Sequence, residues 1–86
     1  MWTWDEAKRR SNLAKHGADF ADATLFDWSS ATTEPDLRRD YGEERFRSVG
    51  FIGERLFVLI YAARGDGQRV ISLRKANFRE IDKWLT

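Results

Sequence analysis

Eighty-six residues are enough for one compact domain, spanning 1–86, and no more. The chain has no cysteine, which excludes disulfide scaffolds, thiol nucleophiles and cysteine-ligated zinc. Its longest apolar run, Leu56 to Ala63, falls far short of the ~20 residues of a membrane helix, and the N-terminus is charged from Asp5 onward; the chain reads as soluble and cytoplasmic, with no membrane partner. Net charge is only +1, yet residues 1–44 hold six Lys/Arg against ten Asp/Glu, and residues 45–86 hold nine against four. The halves are therefore −4 and +5, an asymmetry that points to an anionic partner. Seven of the nine cations in the second half are arginines, the better fork for phosphate oxygens.

Thr3 and Glu6 have the spacing of a capping box, and Trp4, Ala7, Ser11 and Ala14 recur behind them at helical spacing. The pattern predicts a helix over 4–16, closed by Gly17, with His16 in its last turn. Trp2-Thr3-Trp4 also fits a short leading strand. Asp19 reads as a second N-cap, ahead of a short helix carrying Phe20, Ala23, Thr24 and Phe26. From Ser29 to Glu44 periodicity weakens; Pro35-Asp36 reads as a turn and 30–37 as a short edge strand. Phe46–Ile52 and Leu56–Ala63 are strand-like runs split by Gly53-Glu54, a pair suited to a type II′ turn. Arg69–Arg74 is a further strand, entered through Asp66-Gly67, which type I′ turns prefer. Asn77 to Leu85 ends the chain as a helix with Phe78, Ile81 and Leu85 on one stripe. The predicted class is α+β: two N-terminal helices, an antiparallel sheet of three to four strands, and a C-terminal helix.

Those two turns predict a register. Ile52 falls opposite Arg55 and Gly65 opposite Gln68, and opposed residues share a face. Arg45, Arg47, Arg64, Arg69 and Lys75 then occupy one face, with Arg74 on the other and Arg64 directly across from Arg69. Like charges so placed repel, and the cluster needs Asp66, Glu44 or a bound anion as counter-charge.

Each candidate has a structural as well as a chemical reading. His16, the only histidine, suits either a helix-dipole partner or a general acid or base. Arg45, Arg64, Arg69 and Arg74 suit either a solvated rim or a phosphate site that stabilises transition-state charge. Tyr61 sits in the longest apolar run and reads as core. Glu44 and Glu80 suit ion pairing with arginine, or general-base work. No metal-ligand spacing, Gly-rich phosphate loop or serine-nucleophile motif is present, and no cofactor is expected.

Trp4-Asp5-Glu6-Ala7-Lys8, Asn12-Leu13, Lys15-His16-Gly17 and Asp19-Phe20 resemble the opening of BrnT-type toxins. Tyr41-Gly42-Glu43-Glu44-Arg45, Gly50, Arg64-Gly65-Asp66, Arg69-Val70-Ile71-Ser72 and Arg74-Lys75-Ala76 extend the resemblance across roughly residues 4–84. It implies a RelE-like fold and a type II toxin, an endoribonuclease neutralised by a BrnA-type antitoxin. Operator DNA would be reached only through that antitoxin. By the same resemblance His16, Arg64, Arg69, Arg74 and Glu80 match recurrent polar positions. Three positions depart from the family pattern: Ala62 stands where threonine is common, Leu73 where alanine is, and Trp84 where tyrosine is. Trp84 supplies no ionisable hydroxyl.

The chemistry fits this residue set. RNA carries its own 2′-OH nucleophile, so a metal-independent nuclease needs a base, an acid and cations for developing charge. His16 is the expected proton carrier, Arg64, Arg69 and Arg74 the phosphate ligands, and Arg45, Arg47 and Lys75 a wider RNA track. The rival expectation is a non-catalytic domain that binds an antitoxin-like protein or nucleic acid.

Overall fold

The computed structural model describes residues 1–86 and builds a mixed five-stranded sheet with helices on its two faces. Strand β1 (Trp2–Thr3) leads into helix α1 (Glu6–His16), a 3₁₀ helix follows over Phe20–Leu25, and β2 covers Asp27–Pro35. Strands β3 (Arg45–Ile52), β4 (Arg55–Arg64) and β5 (Gly67–Lys75) then run as consecutive hairpins into helix α2 (Phe78–Leu85). The spatial order is β1-β5-β4-β3-β2, with β1 parallel to β5 and every other pair antiparallel. The α+β class stands, but with one N-terminal α-helix, five strands, and a six-residue 3₁₀ helix in place of a second α-helix. No helix is long and apolar enough to cross a membrane.

Local chemistry explains the ends of these elements. Asp5, not Thr3, caps α1, its carboxylate accepting from the Lys8 N–H at 3.1 Å; Thr3 is already committed to β1. Asp19 caps the 3₁₀ helix through the Ala21 N–H, and Asn77 with Glu80 forms a reciprocal capping box on α2. The inward stripe of α1 is Arg9, Asn12 and His16, while Ala7, Ser11 and Ala14 face solvent. Polar bonds therefore anchor this helix. Buried Asn12 donates to the carbonyls of Ala18 and Leu73, at 3.1 and 2.7 Å, and accepts from the Leu73 N–H.

The β3–β4 hairpin has the predicted register, from Ile52 opposite Arg55 to Arg45 opposite Ala62. The β4–β5 hairpin does not. Its turn is Gly65-Asp66, with Gly65 at φ +54° and Arg64 opposite Gly67. Gly67 is small for a different reason: a Cβ there would lie 2.6 Å from the Met1 carbonyl oxygen, where the chain start lies alongside β5. Between Ile60 and Tyr61 the pairing slips, and Ile71 is the extra residue. That bulge reverses the faces of all that follows in β5. Leu73 turns to the side of Leu59, and Arg74 to the side of Val58.

Two cores result. On one side Phe20, Ala23 and Phe26 pack on Leu59, Tyr61, Val70 and Leu73. Gly50 makes room there, since a Cβ would sit 2.6 Å from the Phe26 ring. On the other side Val49, Val58, Ile60 and Ala76 meet Ile81 and Trp84 of α2. Strand β4 is buried on both faces and central, as its apolar run predicts. Phe78 and Leu85 lie exposed, so the packed stripe of α2 is Ile81 and Trp84. The open edge, β2, is protected by its irregular pairing between Asp27 and Thr32, by the Trp84 indole N–H on the Ser30 carbonyl, and by Pro35 at its end.

Candidate functional site

The bulge gathers the arginines. With β5 rephased, Arg45, Arg47, Arg64, Arg69 and Arg74 all lie on the sheet face that carries α2. They stand in rows across three strands: Arg45–Ala62–Arg69, then Arg47–Ile60–Ser72, then Val49–Val58–Arg74. Successive rows are roughly 7 Å apart along the strands, close to the spacing of neighbouring phosphates in an extended nucleic-acid strand. Lys75 falls opposite Phe57 on the other face and leaves this track.

Two carboxylates organise the face into two groups. Glu80, in the first turn of α2, accepts from Arg74 through both oxygens, at 2.8 and 2.7 Å, and from Arg47 at 2.6 Å. Arg47 also reaches Glu34 across the β2–β3 pair at 3.2 Å. The second carboxylate is Glu43, which meets Arg45 at 3.1 Å, Arg69 at 3.1 Å and Arg64 at 3.3 Å. Tyr41 lies flat beneath the Arg45 guanidinium, 4.0 Å from ring centre to Cζ. The counter-charge expected from Asp66 or Glu44 comes from Glu43. A shallow cleft of about 140 Å³ opens beside the first group, lined by Thr32, Glu34, Arg47, Glu80, Lys83 and Trp84.

Arginine contacts control the acids. Hydrogen bonds from Arg74, with further donation by the Asn77 N–H and Arg47, hold the Glu80 carboxyl at about 2. The Arg45 hydrogen bond, and then the charges of Arg69 and Arg64, lower Glu43. Buried Asp36 is likewise held at about 2 by the Arg38 guanidinium. A depressed folded-state carboxyl stabilises the fold above its ordinary pKa and loses that contribution as pH falls through the depressed value. For Glu80 the window runs from about 4.5 down to about 2, and after solvent screening the contribution is about 1–2 kcal/mol. We expect the stability difference between wild type and Glu80→Gln, read from urea unfolding, to be constant above pH 5 and to shrink toward pH 2.5. Asp36 titrates in both proteins and cancels. A pH-independent difference would show that the Glu80 carboxyl is not held below its ordinary range in the folded protein.

His16 stands apart. It is half-buried on the inward stripe of α1, which bonds the Leu73 backbone and leads into the core on the sheet face opposite the arginines. The fold unites Arg45, Arg47, Arg64, Arg69, Arg74 and Glu80; it leaves out His16 and Lys75. Tyr61 is core, its hydroxyl 3.2 Å from that of Ser48. Trp84, edge-on to Phe51 at 5.3 Å, pins α2 to the sheet through its bond to Ser30. Sequence reasoning assigned no role to Glu43 or Glu34. For Glu43 the available signal was its place two residues before Arg45, on the loop that enters β3. No group of three metal-ligating side chains converges anywhere in the chain.

Among models of known protein families, residues 4–80 match one described as a ribonuclease toxin, BrnT, of type II toxin-antitoxin systems. No curated protein matches the chain.

Proposed function

Because the chain belongs to the BrnT family of ribonuclease toxins of type II toxin-antitoxin systems, we propose that it cleaves RNA on its arginine face without a metal ion. The observation that supports this reading is the convergence of five arginines on one sheet face around three paired carboxylates, Glu43, Glu80 and the more exposed Glu34. The RNA 2′-oxygen attacks the adjacent phosphorus and gives its proton to solvent water, the P–O5′ bond breaks, and the leaving 5′-oxygen takes a proton from water. The products are a 2′,3′-cyclic phosphate and a 5′-hydroxyl. Arg64, Arg69 and Arg74 neutralise charge on the phosphoryl oxygens, and Arg45 and Arg47 extend the track. Glu80, ionised and bonded to two guanidiniums, orients Arg47 and Arg74 instead of moving protons.

The arginine face carries no imidazole. Its rate enhancement in this reading comes from positioning and charge stabilisation. His16 takes the proton-transfer role only with RNA that wraps the β1–β5 side of the sheet, so His16→Gln separates the two arrangements. Near-wild-type cleavage by that variant removes His16 from the mechanism.

A BrnA-type antitoxin is the proposed partner, covering the toxin in the cytoplasm and alone contacting operator DNA. The rival reading, a binder that does not cut, draws on Trp84, whose indole is engaged structurally and offers no hydroxyl. Induced expression in a bacterium, with and without the neighbouring open reading frame, tests both. Growth arrest with RNA loss, relieved by the neighbour, is the expected result. Normal growth and intact RNA from folded protein would favour the binder.

A further inference from the structure

Glu43 sits among three guanidiniums. Its two oxygens serve Arg45, Arg64 and Arg69 together, which leaves a formal surplus of two positive charges around a single carboxylate. Donors outnumber acceptors as well: the buried Nε–H of Arg69 has no hydrogen-bond partner. The cluster is open from one side: Arg64 is 54% exposed, whereas Arg69 and Arg45 are at 25% and 18%. A phosphodiester carries the same single charge on two non-bridging oxygens, but its longer P–O bonds set those oxygens farther apart, and its tetrahedral phosphorus places further oxygens outside their plane. It can engage forked donors that one carboxylate leaves short.

The placement of Glu43 adds to this. It belongs to the connection between β2 and β3, outside any helix or strand. That connection is braced from within by Asp36 on Arg38 and by Asp40 on the Gly42 N–H. Toward the arginines it is held by the Glu43 pairs and by Tyr41 on Arg45. Glu43 can therefore withdraw while the strands and their arginines stay in register.

Resting on the RNA reading above, we propose that Glu43 occupies the seat of an RNA backbone phosphate between Arg45, Arg64 and Arg69, and that RNA displaces it. The carboxylate keeps three like charges together in the free protein and competes with the substrate for them. It acts as a built-in competitor that favours polyanions able to present a phosphate at this seat while other phosphates engage Arg47 and Arg74.

The test is binding of a short 2′-O-methyl oligoribonucleotide, which cannot be cleaved, to wild type, Glu43→Gln, Glu43→Asp and Glu44→Gln. Glu43→Gln and Glu44→Gln change net charge identically, so general electrostatics cancel between them. Removing the competitor should tighten binding about tenfold at low salt in Glu43→Gln, with Glu44→Gln close to wild type. Glu43→Asp keeps the charge but draws it back by one methylene, and should fall between wild type and Glu43→Gln. This guards against a loosened loop in the glutamine variant. Binding by Glu43→Gln and Glu43→Asp no tighter than by Glu44→Gln overturns the proposal and makes Glu43 a scaffold for the arginines. If no protein in the set binds the oligonucleotide, the RNA reading fails and this inference fails with it.

Discussion

Alanine at Arg64 or Arg69 is expected to lower RNA cleavage, by about 10²-fold at Arg69 and less at the more exposed Arg64, while leaving the fold intact. The two differ because of where their rows lie. Arg69 is three-quarters covered, stands across Ala62 from Arg45, and is fixed by Glu43 at 3.1 Å. A preset donor costs little reorganisation when charge develops on phosphate, and its loss removes most of that benefit. Arg64 lies at the strand end and is held more loosely, at 3.3 Å. Neither side chain belongs to either hydrophobic core, so unfolding midpoints should move little. Cleavage of a defined RNA at matched protein concentration, beside a thermal melt, makes the comparison. Unchanged cleavage in both variants would dispose of the arginine cluster as the catalytic surface.

Leu59→Ala should have the largest effect on stability. Leu59 is wholly buried in central β4, pairs with Ser48 on β3 and Leu73 on β5, and shares a core with Phe20. Neighbours on three strands and a helical turn cannot collapse together into the void, so the cost is about 3–5 kcal/mol. A domain of this length has only ~4–13 kcal/mol to lose. Urea unfolding should show a midpoint shift of that size with an unchanged slope, and cleavage should fall only with the folded fraction. A cost below about 1 kcal/mol would mean that this core is not close-packed.

Much of the architecture could be read from residue patterns. The Gly53-Glu54 hairpin, the doubly buried β4, the Asp19 cap and the closing helix follow from local spacing, and Trp2-Thr3 fits a leading strand as well as a helix start. Where reading failed, a local signal competed with a distant partner. Asp66-Gly67 looks like a turn, but Gly67 is glycine because the Met1 carbonyl lies against it, and Gly65 takes the left-handed conformation instead. Likewise α1 carries small apolar residues at helical spacing, yet its inward side is set by Asn12 bonding the backbone of a strand 61 residues away.

Residue patterns alone specify a small α+β domain with its positive charge concentrated in arginines of the second half, and the motifs point to the toxin family. Those properties reside in composition, caps and short-range alternation, which need no partner to be expressed. It takes the folded sheet to bring Arg74 beside Arg45, Arg47, Arg64 and Arg69, to turn His16 and Lys75 away, and to set Glu43 among the arginines. The physical reason is that strand faces alternate every residue. A single bulge at Ile71, stabilised by packing on both sides of the sheet, reassigns every side chain beyond it.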